Sequence, residues 1–107
     1  MTKAELRDHI LQQLGVLGAG DTATADDAVL METIIDNCQD ELEQLEVALW
    51  PVDDVPGYAI ESFCQYVKAS CSAWGQEYDP KLKALGLSQL RYLTADRRAG
   101  SGKATYY

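Results

Sequence analysis

The feature that most constrains the fold is a long run of apolar side chains at helical spacing in the middle of the chain. Residues 25–49 contain neither glycine nor proline, and apolar residues recur there every three or four positions. They are Ala28, Met31, Ile35, Cys38, Leu42, Leu45 and Leu49. This period places them on one side of an α-helix. The sequence therefore predicts one helix over residues 25–49, about 37 Å long at a rise of about 1.5 Å per residue.

Start and stop signals mark the beginning of this long helix and predict three further helices around it. The starts are Thr2 with Glu5, Thr24 with Asp27, Pro56, and Asp79 with Pro80, and the ends are Gly15 and Gly75. The apolar side of the third helix consists of Ile60, Phe63, Cys64, Val67, Cys71 and Trp74, and that of the fourth of Leu82, Leu85, Leu90 and Leu93. A chain of 107 residues is the size of one domain. We expect an all-α fold, a small bundle of about four helices over residues 1–95.

The last segment, residues 96–107, lacks an apolar period and contains two glycines within three positions. It predicts an extended, flexible C-terminal arm. Its basic residues are suited to pairing with an acidic surface, and tyrosine is a residue type enriched at buried protein contacts. The candidate docking residues of this arm are Arg97, Arg98, Lys103, Tyr106 and Tyr107.

Charge is sorted along the chain. Residues 1–66 contain 14 acids and 2 bases, whereas residues 67–107 contain 7 bases and 3 acids. The acidic part argues against a surface that holds nucleic acid by its phosphates, because such binding needs clustered Lys and Arg. Glu32, Asp36, Asp40 and Glu43 fall within about 80° of one another on the long helix. Two interpretations remain open for this stripe: a solvated face, or a wall that a polyanion passes without binding.

Residue types that carry chemistry are sparse, so we expect neither catalysis nor a metal ion nor a cofactor. The one histidine, His9, follows Asp8 directly, and adjacent helical side chains point about 100° apart. No CxxC pair or glycine-rich phosphate loop is present, and the three cysteines are predicted to be buried apolar residues. No stretch has the length of a membrane span or the pattern of a signal peptide, which predicts a protein made in the cytoplasm.

Two segments resemble a known family. Residues 14–27 (LGVLGAGDTATADD), which follow a short leading helix, resemble the opening of the head-to-tail adaptor proteins of tailed bacteriophages, also called connector or packaged-DNA stabilisation proteins. Residues 54–60 (DVPGYAI) resemble the Val-Pro turn by which these proteins enter a second amphipathic helix. The two segments and the helix order cover about three quarters of the chain.

This resemblance implies a structural virion protein that assembles in the host cytoplasm. Such adaptors form a homo-oligomeric ring, commonly a dodecamer, beneath the portal protein at the head–tail junction. They extend the channel for double-stranded DNA, help retain the packaged genome and provide the platform for a downstream tail or neck protein. The counterpart of their portal-binding arm is residues 97–107, and the channel-facing acids would come from Glu32, Asp36, Asp40 and Glu43.

A different class of function also agrees with the composition. A small acidic helical protein can act as a regulator, either as a DNA mimic that fills a nucleic-acid site with its carboxylates or as a dimer. In the dimer, the apolar residues between Ala28 and Leu49 would form a coiled coil. A monomer that forms rings on a portal and a tight dimer differ in mass, which distinguishes the two hypotheses.

Overall fold

The structure is a computed structural model that describes the backbone of residues 1–18, 20–48 and 50–106, and the side chains among these as far as residue 95. The described chain is helical: α1 spans Lys3–Gln13, α2 Ala25–Gln44, α3 Ile60–Ser70 and α4 Pro80–Tyr106. A short 3₁₀ turn over Gly57–Ala59 leads into α3. No strand occurs in these residues. The predicted all-α bundle of four helices is confirmed.

Three of the four helices start where the cap residues predicted, whereas α3 begins at Ile60, four residues after Pro56, because a 3₁₀ turn comes first. The backbone N–H of Glu5 donates to Thr2 Oγ1 at 3.2 Å, and that of Thr2 donates to Glu5 Oε1 at 2.9 Å, which completes a capping box. At α2, the N–H of Asp27 donates to Thr24 Oγ1 at 3.3 Å. Asp79 Oδ1 accepts two N–H groups from the first turn of α4. These bonds satisfy donors that a helix start otherwise leaves unpaired.

All four helices contribute to one apolar core. Its fully buried larger side chains include Leu6, Ile10 and Leu11 of α1, Met31, Ile35 and Leu42 of α2, Phe63 and Val67 of α3, and Leu90 of α4. The three cysteines are free thiols and are buried, as predicted. Burial of apolar area, worth about 25 cal/mol per Å², is the main force that holds these helices together.

The end of α2 differs from the prediction, because the helix stops at Gln44, five residues earlier than expected. Glu46 adopts a left-handed conformation with φ of 58°. The N–H groups of Val47 and Ala48 then both donate to the carbonyl oxygen of Leu42, at 2.9 and 3.2 Å. This turn buries Val47 and Ala48, which a continued helix would carry away from the core.

The apolar seam predicted on α2 is therefore shorter than expected. Leu45 is 45% exposed, and Leu49 lies outside the described residues. Thr94 of α4 fixes the new path of the chain, because its hydroxyl donates to the carbonyl oxygen of Val47 at 3.1 Å. The core contact at this end is thus made by the turn after α2 rather than by α2 itself.

The end of α3 also differs. The helix stops at Ser70 and not at Gly75, and Cys71 has an extended conformation. Trp74 and Gly75 have φ angles of 54° and 75°, and together they reverse the chain. The indole Nε1 of Trp74 then donates to Asp27 Oδ1 at 2.9 Å. The early end of α3 lets this loop join the first turn of α2.

The apolar side predicted for α4 is only half correct. Leu90 is fully buried and Leu93 is partly buried, but Leu82 and Leu85 are 47% and 48% exposed. The buried side of α4 instead passes through Gly86, Leu90 and Thr94. The spacing of the leucines predicted the wrong buried side of α4. The closest approach to α3 is made at Gly86, which has no side chain and so does not contribute to an apolar pattern.

The backbone of α4 is helical as far as Tyr106, so the helix includes residues 96–106 of the predicted arm. The side chains of Arg97, Arg98, Lys103 and Tyr106, and the whole of Tyr107, lie outside the described part of the chain. The docking arm therefore stays a prediction. In the part of the chain that is described, none of the helices combines the length and the apolar character that crossing a membrane requires.

Candidate interaction surfaces

The acidic stripe predicted on α2 lies beside α1, which supplies cations to half of it. Arg7 Nη1 lies 3.1 Å from Glu32 Oε2, and Lys3 Nζ lies 3.4 Å from Asp36 Oδ1. The guanidinium of Arg7 also contacts Asp8 at 2.8 Å. Hydrogen bonds to Asp8 and then to Glu32 raise the pKa of Arg7 above its ordinary value. Two of the four candidate acids thus form ion pairs within the molecule.

The other half of the stripe points to solvent. Asp40 and Glu43 are exposed, and neither forms an ion pair with any described residue. Glu43 accepts a hydrogen bond of 3.1 Å from Nε2 of the buried Gln39, whose Nε2 also donates to the carbonyl oxygen of Trp50 at 2.8 Å. The four acids that the sequence placed in one stripe therefore lie in two different environments: Glu32 and Asp36 beside cations of α1, and Asp40 and Glu43 in solvent.

A cluster that joins three helices was missed by sequence reasoning. Lys83 Nζ lies 3.2 Å from Glu41 Oε1, and 5.0 and 5.5 Å from the ring centres of Tyr66 and Tyr78. The Tyr66 hydroxyl donates to Glu41 Oε1 at 2.9 Å. Burial, followed by this hydrogen bond, raises the pKa of Tyr66 well above its ordinary value. The cluster ties α2 to α3 and α4.

One signal in the sequence pointed to this cluster. Lys83, Gly86 and Leu90 are spaced by three and four residues, which puts the lysine on the buried side of α4. A lysine at the border of an apolar side commonly covers that side with its stem and reaches a carboxylate with its head. The spacing alone does not identify Glu41 as the partner, because α2 and α4 are far apart in sequence.

A largely apolar exposed surface runs along α4, formed at helical spacing by Leu82, Leu85 and Tyr92 together with the polar Gln89. We call these residues the α4 stripe. Tyr92 is 71% exposed. Next to the stripe lies a groove of about 530 Å³ lined by Ser62, Ser88, Gln89, Tyr92 and Leu93. Apolar side chains that line up in the open are typical of a protein contact surface.

A smaller apolar surface lies on the outer side of α2. Val29 is 65% exposed and Leu30 is 42% exposed. We call these two residues the α2 patch. The exposed carboxylates Asp26 and Asp40 belong to the same helix. The α2 patch and the acidic stripe are therefore carried by one rigid element.

Groups capable of catalysis are dispersed. Within the described residues, no three His, Cys, Asp or Glu side chains are grouped so as to hold a metal ion. The Nε2 atom of His9 lies 2.8 Å from Gln13 Nε2 and 3.8 Å from Glu61 Oε1. Burial raises the pKa of Cys38 and Cys64 to about 11, which leaves both thiols protonated and weakly nucleophilic.

Comparison of the chain with protein-family models, with curated proteins and with solved structures found no match. The surfaces described above, together with the resemblance of residues 14–27 and 54–60, are therefore the observations from which a function is inferred.

Proposed function

We propose that this protein is a structural component of the head–tail junction of a tailed bacteriophage. It forms a ring beneath the portal protein, extends the channel through which double-stranded DNA passes, helps retain the packaged genome and offers a platform to the next tail component. The part played by the chain is mechanical and electrostatic.

The observation that carries this proposal is the separation of charge between α2 and α4. Within the described residues, α2 contains seven acids and no base, and α4 contains three bases and no acid as far as residue 95. A wall of carboxylates repels DNA phosphates, whereas a wall of Lys and Arg would hold them by counterion release. A conduit for DNA needs the repulsive wall.

Among the candidate channel-facing acids, Asp40 and Glu43 are best suited to this task. Their carboxylates are exposed and form no ion pair with a described residue, whereas Glu32 and Asp36 are paired with Arg7 and Lys3. The unpaired charges produce the stronger field. We therefore propose that Asp40 and Glu43 face the lumen, with Glu32 and Asp36 nearer the contact between α1 and α2.

Attachment to the portal is proposed for the C-terminal segment through Arg97, Arg98, Lys103, Tyr106 and Tyr107. In a ring, every subunit contributes one such segment. Many weak contacts made together can exceed the strength of any single contact by orders of magnitude. A ring on the portal can therefore be firm although each segment binds weakly.

The test is co-sedimentation with the portal protein from the same phage genome. Deletion of residues 97–107 should remove only the helical signal of the end of α4 and leave thermal unfolding of the bundle nearly unchanged, but it should abolish co-sedimentation. The matched control is K81E, which reverses an exposed charge of α4 outside that segment. Co-sedimentation of the truncated chain as well as the intact one contradicts the role of the segment, and a tight dimer that ignores the portal supports an acidic regulator instead.

A further inference from the structure

A groove of about 550 Å³ opens between α3, α4 and the loop that joins them. We call it the α3–α4 groove. Its lining combines apolar side chains with the carboxamides of three glutamines, each of which can both donate and accept hydrogen bonds. These residues are Leu14, Ala69, Leu82, Gln65, Gln76 and Gln89. Such a lining suits a polypeptide segment, which brings backbone groups that need hydrogen bonds and side chains that need apolar area.

The charged side chains that line the α3–α4 groove are mostly acidic. Glu61, Glu77 and Asp79 are present there against one base, Lys68. Asp79 is engaged in the cap of α4. Glu61 and Glu77 are exposed, and neither pairs with a lysine or an arginine of the described part of the chain. The groove therefore favours an occupant with an excess of positive charge.

The end of this chain is a segment of that kind. Residues 96–107 contain three bases, Arg97, Arg98 and Lys103, and one acid, and they end in two tyrosines. A tyrosine brings a large apolar ring together with a hydroxyl that can bond to a carboxamide. The helix α4 carries this segment past the bundle: Ser62, near the start of α3, already lies 3.3 Å from Gln89, whereas the backbone of α4 stays helical to Tyr106.

The segment cannot enter the groove of its own molecule while α4 remains a helix. Arg97 lies about 22 Å beyond Leu82 along the axis, at about 1.5 Å per residue. The exposed acids Asp40 and Glu43 of α2 are a rival surface for the bases, but they line none of the grooves described above. The groove of a second copy offers negative charge, hydrogen bonds and a cavity for a ring together.

We propose that the C-terminal segment of one copy, residues 97–107, docks in the α3–α4 groove of a second copy. Arg97 and Arg98 pair with Glu61 and Glu77 of the second copy, and a terminal tyrosine packs among the glutamines. The contact goes beyond the proposed function, because it gives the segment a partner within the protein itself. It joins two different surfaces, so one copy can give its segment to one neighbour and receive a segment from another.

The experiment uses full chains that each carry one added thiol. S101C places a thiol in the segment, and Q76C places one at the groove. The matched control is N37C, on the exposed side of α2, where Asp40 and Glu41 lie one turn away but no groove is present. The native thiols are buried and do not compete. After mild oxidation, we expect S101C to form at least fivefold more disulfide-linked heterodimer with size-tagged Q76C than with size-tagged N37C.

Charge reversal tests the pairing itself. E61K combined with E77K on the Q76C chain should remove the excess of heterodimer, and so should R97E combined with R98E on the S101C chain. Mixing the two reversed chains should restore it. Because Glu61 and Glu77 are exposed, their reversal should leave thermal unfolding nearly unchanged.

Equal yields with Q76C and N37C would overturn the proposal, as would a failure of the two reversed chains to restore the yield. A chain with both S101C and Q76C that closes within one molecule at low concentration would also overturn it, since the segment would then occupy its own groove. The result is separable from the portal assay. Specific cross-links without portal co-sedimentation support this contact and refute the portal role, whereas co-sedimentation without specific cross-links does the reverse.

Discussion

Gly86 of α4 lies against the backbone of Tyr66 in α3: a Cβ atom added to the glycine would lie 3.2 Å from the nitrogen and 3.3 Å from the Cα of Tyr66. The carbonyl oxygen of Ser62 would be 3.4 Å away. These neighbours are backbone atoms of another helix and cannot rotate aside. The glycine is what allows α3 and α4 to pack at this distance.

We predict that G86A lowers the free energy of unfolding by about 1 kcal/mol. Alanine favours a helix over glycine by about 1 kcal/mol, but crowding in a packed interface costs typically about 1–3 kcal/mol. The measurement is denaturant unfolding followed by circular dichroism. The control is G57A, where an added Cβ has nothing within 4 Å. A more stable G86A would show that the two helices can separate easily.

A second prediction concerns the hydrogen bond of 2.9 Å from Trp74 Nε1 to Asp27 Oδ1, which joins the loop after α3 to the start of α2. A double-mutant cycle of W74F and D27A should give a coupling free energy of about 1 kcal/mol, the typical net contribution of an intramolecular hydrogen bond. The cycle removes the separate effect of Asp27 on the helix dipole. Additive losses would mean that the bond contributes nothing in solution.

Alkaline pH should destabilise the fold through its buried thiols. Burial raises the pKa of Cys38 and Cys64 from 9.0 to about 11. Above pH 9 the unfolded chain releases these protons while the folded chain keeps them, so stability present below pH 9 is lost as the pH rises toward 11.

The measurement compares the unfolding free energy of the wild type and of C64A at pH 8 and pH 10. The decrease between the two pH values should be smaller in C64A by about 1 kcal/mol, since one pKa unit corresponds to about 1.4 kcal/mol. Tyrosines and lysines that titrate in this pH range are present in both proteins, so their effect cancels when the two decreases are subtracted. Identical decreases in the two proteins would contradict the burial of the Cys64 thiol.

The leucines of α4 should differ sharply in their effect on stability. L90A should cost about 2–5 kcal/mol, because Leu90 is fully buried and its loss leaves a cavity. L85S should change the unfolding free energy by less than about 0.5 kcal/mol in dilute solution, because Leu85 is half exposed. Thermal unfolding at low concentration measures both. A large decrease in the unfolding free energy of L85S would contradict the exposure of Leu85 and support the buried position that the leucine spacing predicted.

The proposed channel acids can be tested in virions. D40K combined with E43K should slow DNA ejection severalfold, because a cationic lumen would hold phosphates. The control combines K3M with D36M, which removes an internal ion pair without adding positive charge to the channel. Release of DNA triggered in vitro is followed by dye fluorescence. Unchanged ejection by a virion that contains the lysine variant would reject the lumen assignment.

The starts of α1, α2 and α4 were predictable from sequence, because a cap acts within three residues. Thr2 with Glu5, and Thr24 with Asp27, make the hydrogen bonds that their spacing indicates. The apolar period also predicted buried positions, because a helix repeats every 3.6 residues and residues three or four apart lie on one side of it. These positions are Met31, Ile35, Cys38 and Leu42 in α2 and Phe63, Cys64 and Val67 in α3. Caps and the apolar period together are enough to predict the all-α class.

The ends of α2 and α3, the orientation of α4 and the partners of the acids were decided by tertiary structure. Glu46 and Trp74 take left-handed conformations that their residue types disfavour, because the turns they form bury Val47 and Ala48 and bring the indole to Asp27. Gly86 faces α3 because only a missing side chain permits that approach. The pairing of Arg7 with Glu32 and of Lys83 with Glu41 joins residues 25 and 42 positions apart. Local spacing carries no information about such distances, whereas packing around a shared core sets them.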